Sequence, residues 1–103
     1  MIRLNAIFEL RNDVKPEQIF EISNELVEKS RKDEGNVTYD LYQSTTNLQK
    51  MLFVETWQNQ EVLDKHSAAS HFTEAVPNIE ALTINGLKID HFDFQIKSRL
   101  DKE

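Results

Sequence analysis

The sequence predicts an α+β domain of ferredoxin-like split βαβ arrangement: a four-stranded antiparallel sheet carrying helices on one face, paired with a second copy as a dimeric α+β barrel. Three observations predict it. Apolar residues recur in the order strand, helix, strand, strand, helix, strand. The strands carry large apolar side chains on both faces, although two helices cover only one face of such a sheet. The chain has 103 residues, enough for one domain with its own core and too few for two.

The elements follow in order. Ile2 to Leu10 alternates, with Ile2, Leu4, Ala6, Phe8 and Leu10 on one face and Arg3, Asn5, Ile7 and Glu9 on the other. Asn12, Asp13 and Pro16 mark the turn into a helix, where proline suits the first turn because its missing N–H has no intrahelical partner to lose. Ile19, Ile22, Leu26 and Val27 recur at helical spacing, and Gly35 is expected to end that helix as a left-handed cap. Val37 to Gln43 and Met51 to Trp57 alternate on either side of a turn-like Ser44–Asn47, which predicts a hairpin. Gln60 to about Leu82 is helical with a break, Ser70 serving as N-cap of the second piece and Pro77 kinking or ending it. Gly86 then turns into a last strand, Leu87 to Ile96. Its apolar phase switches from Leu87 and Ile89 to Phe92, Phe94 and Ile96, which calls for a bulge or a change of packing partner. The domain is expected to span residues 1–97, with 98–103 as a polar tail.

Composition excludes several functions. The formal net charge is −6, which repels a phosphate backbone or an anionic lipid surface, so neither nucleic acid nor membrane is an expected partner. Without cysteine there is no disulfide, thiolate metal site or Cys nucleophile. The start MIRLNAIFELRND lacks the basic-then-apolar pattern of a secretory signal, and no apolar run approaches about 20 residues, so a cytoplasmic location is expected.

The informative segment is Glu55-Thr56-Trp57, Leu63-Asp64-Lys65-His66 and Ser70-His71-Phe72, or E-x-W-x5-L-D-x-H-x3-S-H-F. Upstream, Glu34-Gly35 precedes Tyr39 and Tyr42 at the entry to the second strand. In order and spacing this set resembles the signature of the antibiotic biosynthesis monooxygenase family, over roughly Ile2 to Phe94. The resemblance implies a homodimeric α+β barrel with a ligand pocket between helices and sheet in each subunit. It also implies a reaction class that includes cofactor-free oxygenation of quinols and other electron-rich aromatics by O₂. Related activities on the same fold include haem cleavage and isomerisation of small metabolites. The haem-cleaving relatives carry an axial histidine after the stretch matching Ser70-His71-Phe72; here Thr73 to Pro77 contains none, which argues against haem.

Side-chain chemistry narrows the candidates. His66 is the acid–base candidate, since imidazole titrates near neutrality and a phenol must be deprotonated before it passes an electron to O₂; the alternative is a histidine that only anchors its helix. Glu55, on a bulky apolar strand face, needs a partner such as His66 or His71, or else a proton. Trp57 offers a flat wall and one N–H, either for a ligand or for the core. His71 and Phe72 open a helix and would close the mouth of a pocket. Asn5 would be an oxyanion donor if it faces the helices. Tyr39 and Tyr42 lie on opposite faces of their strand, so at most one lines a given cavity. His66 and His71 are five apart, not an i, i+4 pair, and no H-E-x-x-H, phosphate loop or dinucleotide fingerprint is present, so no metal or cofactor is expected.

Overall fold

The computed structural model describes residues 1–101; residues 102 and 103, the end of the expected polar tail, lie outside the described residues. The elements are β1 (Ile2–Glu9), α1 (Pro16–Ser30), β2 (Asn36–Gln43), β3 (Lys50–Trp57), α2 (Gln60–Ala68), α3 (Ser70–Glu80) and β4 (Lys88–Asp93). The strands form one sheet in the order β2-β3-β1-β4, every neighbouring pair antiparallel. This is the ferredoxin-like split βαβ topology.

Local chemistry explains the boundaries. Pro16 sits at the start of α1, where the Lys15 N–H donates to Gln18 Oε1 at 2.8 Å. Asn59 caps α2, its side-chain oxygen accepting from the Val62 N–H at 3.0 Å. The break between α2 and α3 is at Ala69, whose extended backbone (φ −72°, ψ 146°) interrupts the helical ladder. The cap of α3 is therefore Ala69, one residue before the expected Ser70, and it supplies no side-chain bond. The helix continues through Pro77 to Glu80.

Two other expectations are corrected. Gly35 does adopt the left-handed region (φ +76°), but α1 already ends at Ser30 with Arg31 as its cap, so Gly35 serves the following loop. It is also pressed against α2: a Cβ on Gly35 would lie 2.5 Å from Val62 Cγ2. The last strand is shorter than expected and carries no bulge, its register running without interruption from Ile2↔Asp93 to Ile7↔Lys88. Among the described residues the one irregularity in the sheet is in β2, between Asn36 and Thr38. The phase switch after Ile89 is a change of packing partner: Ile89 turns toward the helices, and Phe92 shares the opposite face with its register partner Arg3.

The core lies between the sheet and the helices. Ala6 and Phe8 from β1, Tyr39 from β2, and Met51, Phe53 and Trp57 from β3 meet Ile19, Leu26, Val62, Leu63 and Ile79. The other face has no covering layer among the described residues. There the pairs Arg3↔Thr56, Asn5↔Val54 and Ile7↔Leu52 lie beside Tyr42 and Phe92, which are 53% and 46% exposed. No helix among the described residues is long and apolar enough to cross a membrane.

Candidate functional site

Alternation along β3 turns Met51, Phe53, Glu55 and Trp57 toward the helices. That places one carboxylate among aromatic side chains. Glu55 is 4% exposed, and its Oε1 accepts from Trp57 Nε1 at 2.9 Å. The partner of this buried carboxyl is thus the tryptophan two residues on, and neither histidine. Burial pushes Glu55 up to about 7, because the apolar surroundings penalise its charged form more than the Trp57 bond and the Tyr39 phenol favour it. Tyr39 pairs with Glu55 across the strands and is itself pushed far above the ordinary phenol range, first by burial and then by the neighbouring carboxylate.

His66 lies in the last turn of α2, buried in a nest of rings. Its centroid is 4.5 Å from that of Trp57, 5.0 Å from Phe72 and 5.5 Å from Tyr39. His66 Nδ1 is 2.8 Å from Asp33 Oδ2, and His71 Nε2 is 2.7 Å from the same oxygen. A carboxylate only accepts, so the hydrogen-bond network assigns a proton to each of these nitrogens. Neutral His66 then has a free lone pair on Nε2, which is buried and has no partner. Burial lowers the His66 pKa; the Asp33 bond and charge oppose this, and the nearby His71 adds a little to the lowering.

A cavity of about 190 Å³ adjoins this group, between the sheet and α2–α3. Leu4, Ala6, Phe53, Leu63, Phe72 and Leu87 contribute apolar wall, and Tyr39, Glu55 and His66 are titratable residues beside them. Ile89 of the edge strand also lines it while remaining 53% exposed, so the cavity opens toward β4.

The structure thus brings four of the sequence candidates together: Glu55, His66, Tyr39 and Phe72. Trp57 is fully buried behind Glu55 and is not part of the cavity wall. Asn5 lies on the other face of the sheet, opposite Val54 and Asp90, its Oδ1 buried and without a partner. His71 borders a separate outer groove with Glu21, Glu25 and Glu74. Sequence reasoning missed Asp33. Its only signal was its place two residues ahead of Gly35 in the turn; no periodicity ties it to a histidine 33 residues on. It also discounted the His66–His71 pair on spacing, whereas the break at Ala69 turns both rings to one carboxylate oxygen.

The family model described as antibiotic biosynthesis monooxygenase matches residues 1–78. A crystal structure of a protein of unknown function from Bacteroides thetaiotaomicron VPI-5482, described as a possible oxidoreductase, is 36% identical. It superimposes with a TM-score of 0.82 over 90% of this chain and 96% of that one. A crystal structure described as an antibiotic biosynthesis monooxygenase is 27% identical, with a TM-score of 0.84 over 93% of this chain and all of the other. YcnE of Bacillus subtilis (strain 168), whose name proposes a monooxygenase, is 29% identical over 72 residues, 70% of this chain and 75% of that protein. The uncharacterised protein sll1783 of Synechocystis sp. is 34% identical over 62 residues, 60% of this chain but only 42% of that longer protein.

Proposed function

The chain belongs to the antibiotic biosynthesis monooxygenase family, and on that premise we propose that it is a cofactor-independent monooxygenase of a quinol or similarly electron-rich small aromatic, working as a homodimer. The observation that carries the reading is the His66 nitrogen: Nδ1 is held by Asp33, and Nε2 is a buried, unpartnered acceptor on a residue that lines an apolar cavity. Such a nitrogen suits the removal of a phenolic proton. The resulting anion is electron-rich enough to reduce O₂. In the overall reaction a quinol and O₂ give a hydroxyquinone and water. One oxygen atom enters the ring, the other leaves as water, and the quinol supplies all four electrons. Glu55, pushed up to about 7 and so still partly protonated near neutrality, would donate the proton that releases hydroxide from a peroxide intermediate as water. The cavity is smaller than the roughly 300–1,000 Å³ of a drug-sized pocket, so a one- or two-ring substrate fits better than an extended polycycle.

Isomerisation of a phosphorylated metabolite on the same fold is less well supported. It needs a converging cation, and among the described residues no Lys or Arg lines the cavity; Lys65 pairs with Glu34 at the surface and Arg3 lies on the other sheet face. A binding protein without turnover would use the same walls and return its ligand unchanged.

Oxygen consumption with a panel of small dihydroxynaphthalenes and benzene diols tests the reading. Uptake of O₂ is expected with at least one member, and His66→Ala should reduce it by roughly 10²–10⁴-fold. No uptake across the panel, or full activity in His66→Ala, overturns it.

A further inference from the structure

We propose that Asp33, His66 and His71 bind a divalent transition-metal ion of the zinc class, which would clip the α1–β2 loop to α2 and α3. One donor atom from each residue lies within 4.8 Å of the other two. Two imidazole nitrogens and one carboxylate oxygen are a three-ligand set that Zn²⁺, Co²⁺ and Ni²⁺ accept, leaving a position for water. Mg²⁺ and Ca²⁺ favour sites built almost wholly of oxygen and are not expected here.

Both Asp33 separations need little adjustment, and the two imidazole nitrogens already lie within 4.8 Å of each other. Metal–ligand bonds of about 2.0–2.1 Å at 90–109° put neighbouring donors about 3.0–3.4 Å apart. Asp33 Oδ2 is now 2.8 Å from His66 Nδ1 and 2.7 Å from His71 Nε2, so it has to retreat by a few tenths of an ångström. Asp33 belongs to a loop and its side chain is 21% exposed, which allows that movement, while buried His66 stays as the fixed point. Access is available from the groove beside His71, which is separate from the cavity. His71 borders the groove that carries Glu21, Glu25 and Glu74; the one cation there, Lys29, is engaged by Glu25 at 2.7 Å. A concave surface with this excess of carboxylates concentrates cations.

The exchange balances without redox change or proton release. Each neutral imidazole keeps its single ring proton and moves it to the other nitrogen: from Nδ1 to Nε2 in His66, and from Nε2 to Nδ1 in His71. The unpartnered Nε2 of His66 thereby changes from acceptor to donor. Metal binding itself does not depend on the reaction proposed above and is measured without substrate.

The experiment is a titration of chelator-treated protein with ZnCl₂, followed by long-range ¹H–¹⁵N spectra of the imidazole rings. At one equivalent the His66 Nδ1 and His71 Nε2 resonances should move, His66 Nε2 should take on the signature of a protonated nitrogen, and the exposed His91 should stay where it is. MgCl₂ should leave all three rings unchanged. His71→Gln and Asp33→Asn should each weaken Zn²⁺ binding by more than about tenfold, the scale at which even supporting residues act on metal affinity, and His91→Gln should have no effect. Two variants are used so that one poorly folded protein does not decide the result. Unmoved His66 resonances at saturating Zn²⁺, or equal affinity in wild type and His71→Gln, overturn the proposal.

Discussion

At the scale of single residues, Glu55 is where folding and chemistry pull in different directions. A glutamine in its place would accept the Trp57 N–H equally well and never ionise. The folded chain holds the Glu55 proton up to about pH 7, whereas the unfolded chain releases it near the ordinary value of 4.5. The stabilisation from that proton is complete below about pH 4.5 and is lost as pH rises through about 7. The difference corresponds to about 3 kcal/mol at most. Glu55→Gln should therefore match wild-type stability near pH 4 and exceed it by up to that amount at pH 8, as read from denaturant melts at the two pH values. If the carboxyl donates a proton in turnover, the same variant should lose activity while gaining stability. A variant whose advantage does not grow with pH would show that Glu55 ionises freely in the folded chain. His66 owes its position to packing against Trp57, Tyr39 and Phe72 and owes its tautomer to Asp33, so its two ring nitrogens are set by different neighbours.

At the scale of elements, the loop between α1 and β2 controls the site from outside it. Asp33 is held two residues from Gly35, which takes a positive φ and lies against Val62 one turn of α2 before His66. Gly35→Ala meets two penalties: the left-handed backbone costs roughly 1 kcal/mol for a residue with a Cβ, and that Cβ overlaps the Val62 side chain. Destabilisation of about 2–4 kcal/mol is expected, in the range of overpacking plus backbone strain. Adding Val62→Ala should recover the steric part and leave the backbone part, so a double-mutant cycle in urea should show coupling of at least about 1 kcal/mol. Strict additivity would mean that the loop simply moves away from α2. The break at Ala69 matters in the same way. In an uninterrupted helix residues five apart point about 140° away from each other; the extended residue re-aims α3, so His71 reaches the oxygen that His66 already holds.

At the scale of the whole molecule, the uncovered face of the sheet supports the homodimer. Ile7, Leu52 and Val54 form its apolar centre, and Tyr42 and Phe92 stand out from it more than two-fifths exposed. A contiguous patch of this kind is unusual on a monomer. Covering it with a second copy would contribute about 25 cal/mol for each Å² buried, before the cost of association. Phe92→Asp should therefore convert a dimer to a monomer in light scattering. It should also abolish the dependence of Tm on protein concentration that mass action imposes on a dimer. Phe92 is not part of the core of the single chain, so the isolated fold should survive the change. A wild-type protein that scatters as a monomer at high micromolar concentration would mean that the apolar second face is not a dimer interface.

Periodicity carries most of what can be read from the order of residues alone. Period two along Ile2–Leu10 and Met51–Trp57 assigned each side chain to a face, which is why Phe53, Glu55 and Trp57 were grouped correctly and Leu52 and Val54 set against them. The spacing E-x-W…H…S-H-F pointed to the family and to the elements that carry Glu55, His66 and Phe72. The tertiary structure decided what periodicity does not encode. Asn5 alternates as regularly as its neighbours, yet nothing in alternation says which of two apolar faces receives the helices; Leu4 and Ala6 face them and Asn5 does not. The partner of Glu55 was chosen by a contact within its own strand face, and the partner of His66 by a loop 33 residues earlier in the chain. Local pattern records the surroundings of a segment averaged over its length. A hydrogen bond between distant segments depends on loop conformation to within a few tenths of an ångström, and that is fixed only when the whole chain packs.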